Sequence, residues 1–454
     1  MSAPHVVIIG GGLAGLQAAV HCADAGSRVT LLEARSRLGG ATWSKHHRSL
    51  GFEIDNGQHV FMRCCEQYLS FLERLGVRDL VEMQERLSVP VAKPGAPLVW
   101  IRRNGLPAPA HLAKSILTYQ PLSFAARIRA ALTARAISRL DPLDPALDEM
   151  SIGEWLAERG ESDKTVEHFW DLLIRSTLNL RAGKASLALA TKVLRTGFLD
   201  RADGADIGWS KVPLSKLHAE PALRILQEKG ADIHLQTPVD KLETRDGHPP
   251  VVWAKGRRFD ADAVIVAVPN EAASDLLPGL SEQDLSGLSV LGRSAIVNLH
   301  LVFDRPIMDL PFVAGIDSEL QWIFDRTKTS GLERGQYLTV SLSDGDQYLG
   351  RSSDELQAIF VPAFEELFPI ARTARLEKFV VTIERAATFR QAPGTRRFRL
   401  PAGRVSEGVF VAGAWTDTGW PATMEGAVRS GRTAAIETMK SLSGFSRMEE
   451  TEAA

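Results

Sequence analysis

The chain has 454 residues, 44% hydrophobic and 24% charged, with a formal net charge of −2. That suits two or three domains around a large core, and near-neutrality argues against nucleic acid as the main partner. Three cysteines (Cys22, Cys64, Cys65) with no C-x-x-C support neither a disulfide framework nor a zinc site and fit a reducing cytosol, and with no basic N-terminal region before an apolar run and no stretch near ~18–20 apolar residues, neither a signal peptide nor a membrane span is expected.

His5–Ile9 is a β-branched run followed at once by Gly10-Gly11-Gly12-Leu13-Ala14-Gly15. A helical apolar pattern (Leu13, Leu16, Ala19, Val20, Ala23) leads through Gly26 to a second strand, Arg28–Leu32, which ends on Glu33. G-x-G-x-x-G between a strand and a helix predicts a dinucleotide site. Gly10 permits the tight turn, Gly12 lets the backbone approach a pyrophosphate, and Gly15 lets helix and strand pack closely. The phosphate then rests on free N–H groups at the positive end of the helix. Glu33, eighteen positions past Gly15, stands where an acid accepts ribose hydroxyls, and its charge disfavours a 2′-phosphate.

Glu33-Ala34-Arg35-Ser36-Arg37-Leu38-Gly39-Gly40 resembles the E-x-x-x-R-x-G-G signature of the FAD-dependent amine oxidase and phytoene desaturase superfamily. The resemblance implies FAD, with this loop beneath its pyrophosphate; taken alone, the residues would also suit a solvated basic turn. His46 and His47 lack acid or cysteine partners at ligand spacing, so no metal is expected. Asp55-Asn56-Gly57-Gln58-His59, a polar pentad between Ile54 and Val60, narrows the resemblance to the hydroxysqualene dehydroxylases, also called squalene-associated FAD-dependent desaturases. Asn56-Gly57 also reads as a simple hairpin turn.

From Arg86 to Leu140 there is no Asp or Glu, but nine Lys or Arg: Arg86, Lys93, Arg102, Arg103, Lys114, Arg127, Arg129, Arg135 and Arg139. Leu112, Ile116, Leu117, Phe124, Ile128, Leu132, Ile137 and Leu140 fall at helical spacing within it, interrupted by Pro121. Such a segment suits either an anionic membrane surface or a core helix with a solvated basic face. Helices are expected to continue through 151–199, opening on a capping box at Ser151-Ile-Gly-Glu154. Leu214–Gly230 reads as a helix and Asp232–Leu235 as a strand. Thr237-Pro-Val239 follows, where the resemblance implies that the Val239 backbone pairs with adenine; an edge strand without a ligand would look the same. Ala263–Val268 reads as a buried parallel strand. Ser294–Phe303, Leu320–Phe324, Gln336–Leu342 and Phe379–Ile383 read as strands of a second sheet.

Near the C-terminus, Gly413-Ala414-Trp415-Thr416-Asp417 and Pro421-Ala-Thr423-Met424-Glu425-Gly-Ala-Val-Arg-Ser-Gly431 match the superfamily's last FAD element. The resemblance places Gly413 at the ribityl chain and Thr423 and Met424 at the flavin pyrimidine, where a helix N-terminus favours the anion of reduced flavin. Two positions depart from relatives: Ala41 stands where arginine is common, and Ala414 where aspartate is. The expected fold is α/β: a Rossmann-like FAD-binding domain with a glutathione-reductase-type parallel sheet (1–85, 205–270, 400–440). Inserted in it is an α+β substrate domain (86–204, 271–399) with a mixed sheet and a helical membrane-facing part. A flexible tail is expected from Ser441 to Ala454.

The implied activity is reduction of hydroxysqualene to squalene in bacterial hopanoid synthesis, with FAD supplying hydride and an acid protonating the allylic hydroxyl. His59, Asp55 and Asp417 are the candidate acids. His59 leads because its ordinary pKa of about 6.5 suits proton donation near neutrality, although a purely structural His59 fits as well. A C30 hydrocarbon gains on the order of 20 kcal/mol by leaving water at ~0.8 kcal/mol per CH₂, so the substrate must come from a bilayer, and a cytoplasmic protein held peripherally on the inner membrane face is expected. With no second glycine fingerprint, electrons come from an external donor. A carotenoid-type desaturase would share every FAD motif and run the hydride in reverse. A flavin-free prenyl-binding escort, as in GDP-dissociation inhibitors, needs no intact fingerprint.

Overall fold

The computed structural model describes residues 3–245, 247–277 and 280–452. The first forty residues build the frame. His5–Ile9 and Arg28–Leu32 pair in parallel, joined by the helix Leu13–Asp24. Gly10, at φ +105°, turns so tightly that a Cβ there would sit 2.5 Å from the Ala267 carbonyl oxygen, and one on Gly15 would lie 1.9 Å from that of Gly10. Only glycine permits this approach of helix to strand. The six-stranded sheet runs in the order 232–234, 28–32, 5–9, 263–266, 409–411, 403–406, parallel except for the last pair.

A seven-stranded sheet lies elsewhere in the fold, in the order 376–388, 294–303, 336–342, 322–325, 312–315, 88–92, 99–102. It is antiparallel except between 312–315 and 88–92. Two of its strands fall in the basic region 86–140, where only helical spacing is expected: Ser88–Ala92 and Val99–Arg102 are a β-hairpin on the sheet edge. Their inward residues Val89, Val91 and Ile101 enter the main core. Leu376–Thr388 is also longer than the sequence suggests, and its last turns reach the cavity described below.

The helices of 113–199 share the main core with Val89, Val91, Ile101, Phe312 and Phe324 of this sheet. Ser151 opens one with the expected reciprocal cap, its hydroxyl accepting from the Glu154 N–H while the Glu154 carboxylate accepts from the Ser151 N–H. Two π-helical segments, Val166–Trp170 and Leu194–Leu199, interrupt the run. The helix expected over 214–230 breaks at His218 into Leu214–Leu217 and Ala219–Glu228. The last helix, Met424–Glu452, continues through the tail expected to fray from Ser441, since no proline stops it. Among the described residues no helix is long and apolar enough to cross a membrane.

Candidate functional site

The two chain ends meet. Gly431 of the last helix lies against Ala14 so closely that a Cβ there would be 2.1 Å from the Ala14 carbonyl oxygen. Each polar member of the C-terminal motif has a fixed partner. Ser430 Oγ accepts from the Gly413 N–H at 2.8 Å. Glu425, fully buried, accepts from the N–H groups of Gln67 (3.2 Å) and Tyr68 (2.7 Å), capping the helix Glu66–Arg74, and from Arg429. Gly413, at φ +149°, could not carry a Cβ without meeting the Trp415 indole.

Between these ends lies a cavity of about 370 Å³. Leu13, Gly39, Ala41 and Thr42 line it on one side, and Ala414, Thr423 and Met424 on the other. Glu33 is buried beside the glycine turn, accepting from the Gly11 N–H and the Arg35 N–H, each at 2.7 Å. Its carboxylate keeps lone pairs for ribose hydroxyls. The Thr237 N–H donates to the Glu33 carbonyl, which brings Val239, the first residue of the next strand, close to this segment. Arg37 stacks on the Trp43 ring, 3.6 Å from its centroid, and its buried Nη1 has no hydrogen-bond partner. An unsatisfied buried guanidinium nitrogen beside a glycine cradle is what a phosphate would complete. The residues present therefore fit FAD, and Arg37 offers a positive charge where Ala41 does not.

Asp55–His59 is no hairpin turn. Phe52–Asp55 pairs with Ser44–His47, whereas Val60–Met62 pairs with Ile207–Ser210 in a different sheet. The pentad is a linker whose Asn56, Gly57, Gln58 and His59 line the cavity.

None of the three expected acids stands ready to donate a proton. Asp55 turns away from the cavity into an ion pair with Arg326 (3.0 Å), and accepts from the Ser44 hydroxyl and the Leu214 N–H. Asp417 also does not line the cavity; it faces Arg396 at 3.4 Å and Arg399 at 3.9 Å and accepts from the Gly419 N–H. His59 does reach the cavity, with Nδ1 2.9 Å from the Gly57 carbonyl oxygen. A carbonyl only accepts, so Nδ1 carries the hydrogen and Nε2 the lone pair. Burial, the largest influence, also lowers the imidazole pKa, so near neutrality His59 is an acceptor.

The seven-stranded sheet forms the cavity's other wall, and its register sets a gradient. Asn298 pairs with Ser341, and Ser341 with Trp322; one row along, Phe324 pairs with Phe312. Polar Asn298, Ser341 and Glu384 thus give way to Trp322, Phe324 and Phe312 across one face. Sequence reasoning missed Glu384, whose position depends on its pairing opposite Ile296, about ninety residues earlier. Asn179, left-handed at φ 52°, ties the helix ending at Leu178 to this wall through Ser294 and Thr388. A second cavity of about 40 Å³, apolar but for Ser115 and the Trp170 indole, shares Ile101, Leu173 and Phe198 with the first and is lined also by Ile116, Ala134 and Ile137. Both π-helical segments contribute to it, through Phe169, Trp170, Leu194 and Leu199.

Comparison with known proteins agrees with this arrangement. The chain is 26% identical to hydroxysqualene dehydroxylase of Zymomonas mobilis over 96% of its length and 98% of the relative's. It is 28% identical to that of Rhodopseudomonas palustris (95% and 97%) and 24% identical to 15-cis-phytoene desaturase of Synechococcus elongatus (95% and 95%). Cyclohexylamine oxidase from Brevibacterium oxydans shares the fold, with a TM-score of 0.75 at 19% identity over 97% of this chain and 100% of that one. Putrescine oxidase does so at a TM-score of 0.73 and 18% identity, over 97% and 99%. The model of the flavin containing amine oxidoreductase family matches residues 13–438, and the chain belongs to that family of FAD-dependent oxidoreductases.

Proposed function

We propose that the protein reduces hydroxysqualene to squalene. The observation that carries this reading is the cavity itself, which joins the nucleotide cradle to a sheet face graded from polar to aromatic. Such a wall suits a long hydrocarbon bearing one hydroxyl, and the relatives from Z. mobilis and R. palustris are hydroxysqualene dehydroxylases.

The Gly10–Gly15 turn and Gly39–Gly40 would admit the pyrophosphate of FAD, Arg37 would offer it an N–H, Glu33 would hold the ribose, and the Val239 backbone would pair with the adenine. Gly413 would make room for the ribityl chain, and the residues at Thr423 and Met424, which line the cavity, would hold the pyrimidine ring. FAD, when bound and reduced, supplies hydride, and an external donor reduces it again. Phe312, Trp322 and Phe324 give the hydrocarbon chain an apolar wall that excludes water. Anaerobic addition of hydroxysqualene, and separately of phytoene, to the oxidised and the photoreduced protein tests the direction of transfer. Hydroxysqualene should reoxidise the reduced form, and phytoene should leave the oxidised form unbleached.

The substrate enters from a bilayer, with the protein on the inner face of the cell membrane. In the helix Phe124–Ile137, Ala130, Thr133 and Ile137 are buried, while Phe124 (69% exposed), Ile128 (39%) and Leu132 (63%) form an i, i+4, i+8 stripe facing outward. Leu106, Leu117 and Leu143 are exposed as well. The basic residues divide into two groups. Arg127 donates to the carbonyls of Leu122 and Leu117, Arg129 to that of Gly160, and Arg103 pairs with Asp206. Arg86, Lys114, Arg135 and Arg139 are exposed without an ion-pair partner among the described residues. Reversing charge at Arg127 or Arg129 would therefore disturb the fold, and the apolar stripe is the better test. Phe124→Ser, Ile128→Ser and Leu132→Ser together should cut co-sedimentation with anionic vesicles by at least about tenfold, since each side chain is worth roughly 1.5–3 kcal/mol on burial. The small cavity beneath this helix adjoins the large one through the shared walls Ile101, Leu173 and Phe198.

A further inference from the structure

We propose that Glu384 is the proton donor for the departing hydroxyl and that Asn298 is the positioning residue that holds it; this rests on the dehydroxylase reading. Among the described residues two carboxylates line the large cavity, Glu384 and Glu425. Glu425 is consumed by two backbone N–H groups and Arg429. The Glu384 carboxylate has neither an ion pair nor a hydrogen bond within the described protein, although it sits in the same cavity as His59 and Asn298. A carboxyl group left without a partner in a cavity lined largely by apolar side chains is free to meet a substrate.

Asn298 supplies the second half. It is 1% exposed and lines the cavity, and its Nδ2 donates to the Asn56 carbonyl at 3.2 Å. That carbonyl can only accept, so the amide orientation is fixed and Oδ1 is the atom left over. Oδ1 is buried and has no partner. Asn298 pairs across the strands with Thr382, whose hydroxyl donates to the same Asn56 carbonyl, and Glu384 is the diagonal neighbour two residues on. Diagonal neighbours lie roughly 7–8 Å apart at the backbone, which leaves room for one hydroxyl oxygen to donate to Asn298 Oδ1 and receive a proton from Glu384.

The step balances as follows. The carbon–oxygen bond breaks with its electron pair passing to oxygen, which takes the Glu384 proton and leaves as water. Hydride from reduced FAD forms the new carbon–hydrogen bond, so carbon is reduced and flavin oxidised, and the Glu384 carboxylate is reprotonated from solvent. His59, an acceptor near neutrality, and Asp55, held by Arg326, take no part in the transfer.

The test compares holoprotein variants after photoreduction, in vesicles carrying hydroxysqualene. E384Q keeps the shape but lacks the acidic proton, and should reoxidise about 10²–10⁴-fold more slowly, the usual worth of general acid catalysis. Its absorbance near 450 nm and its binding of squalene should stay within about twofold of wild type. E384D, which keeps a carboxylic acid at that position, should recover part of the rate that E384Q loses. N298A should weaken binding of hydroxysqualene but not of squalene, which has no hydroxyl to hold. An E384Q rate within threefold of wild type, or loss of FAD or of squalene binding in that variant, overturns the proposal while wild-type squalene formation leaves the dehydroxylase reading standing. Absence of squalene from wild type overturns both.

Discussion

Asp55→Ala should destabilise the protein by about 3–5 kcal/mol, the usual cost of removing one partner from a buried ion pair. The Asp55 and Arg326 side chains are only 10% and 6% exposed, and Arg326 is held in place by a further bond to the Ser210 carbonyl. Without the carboxylate the guanidinium keeps its charge in a site that water barely reaches. The Ser44 hydroxyl and Leu214 N–H lose their acceptor in the same substitution. Against a total of roughly 5–15 kcal/mol for a folded domain, the loss is large. Chemical denaturation of wild type and variant measures it directly. A variant as stable as wild type yet inactive would return Asp55 to the chemistry and contradict the structural role given to it here.

Acid should unfold the protein well above the carboxylate range. His218 and His300 are almost completely buried, and burial pushes both imidazoles down to about 3. His218 bonds to the Tyr68 hydroxyl, and His300 to those of Tyr337 and Thr382, so neither is arranged for a charge. The unfolded chain takes up these protons near the ordinary value of about 6.5. Stabilisation from the neutral rings is thus complete above that pH and is lost as pH falls from about 6.5 toward 3. At pH 5 the loss is about 2 kcal/mol for each ring, or about 4 kcal/mol for both. Asp148, Asp171 and Glu161, held above their usual range by burial, offset part of it at lower pH. The denaturation midpoint at pH 5 should therefore lie clearly below that at pH 7, and His300→Gln should narrow the gap. Equal midpoints would contradict the burial of neutral histidines.

The cofactor end of the molecule was legible because its signals are local. Gly10, Gly12 and Gly15 follow a strand and open a helix within ten residues, and Glu425, Ser430 and Gly431 lie within one helix, so spacing alone carries their geometry. What escaped reading depends on distant partners. Ser88–Ala92 looks like part of a basic helical region until Phe312–Gly315 arrives beside it from over two hundred residues away. The fate of Asp55 is decided by Arg326, and that of Asp417 by Arg396 and Arg399, none of them near neighbours in sequence. Glu384 carries no local signal, because only the pairing of its strand with Ser294–Phe303 turns it toward the cavity. Which arginines hold loops and which face outward is a matter of tertiary contacts.

Everything in the proposed chemistry depends on hydride passing from flavin to an oily alcohol. The most direct measurement is an anaerobic single turnover: photoreduced holoprotein mixed with vesicles carrying hydroxysqualene, with absorbance near 450 nm followed and products extracted. One squalene formed for each flavin reoxidised is the predicted result. Flavin that stays reduced while hydroxysqualene is recovered unchanged would contradict the account.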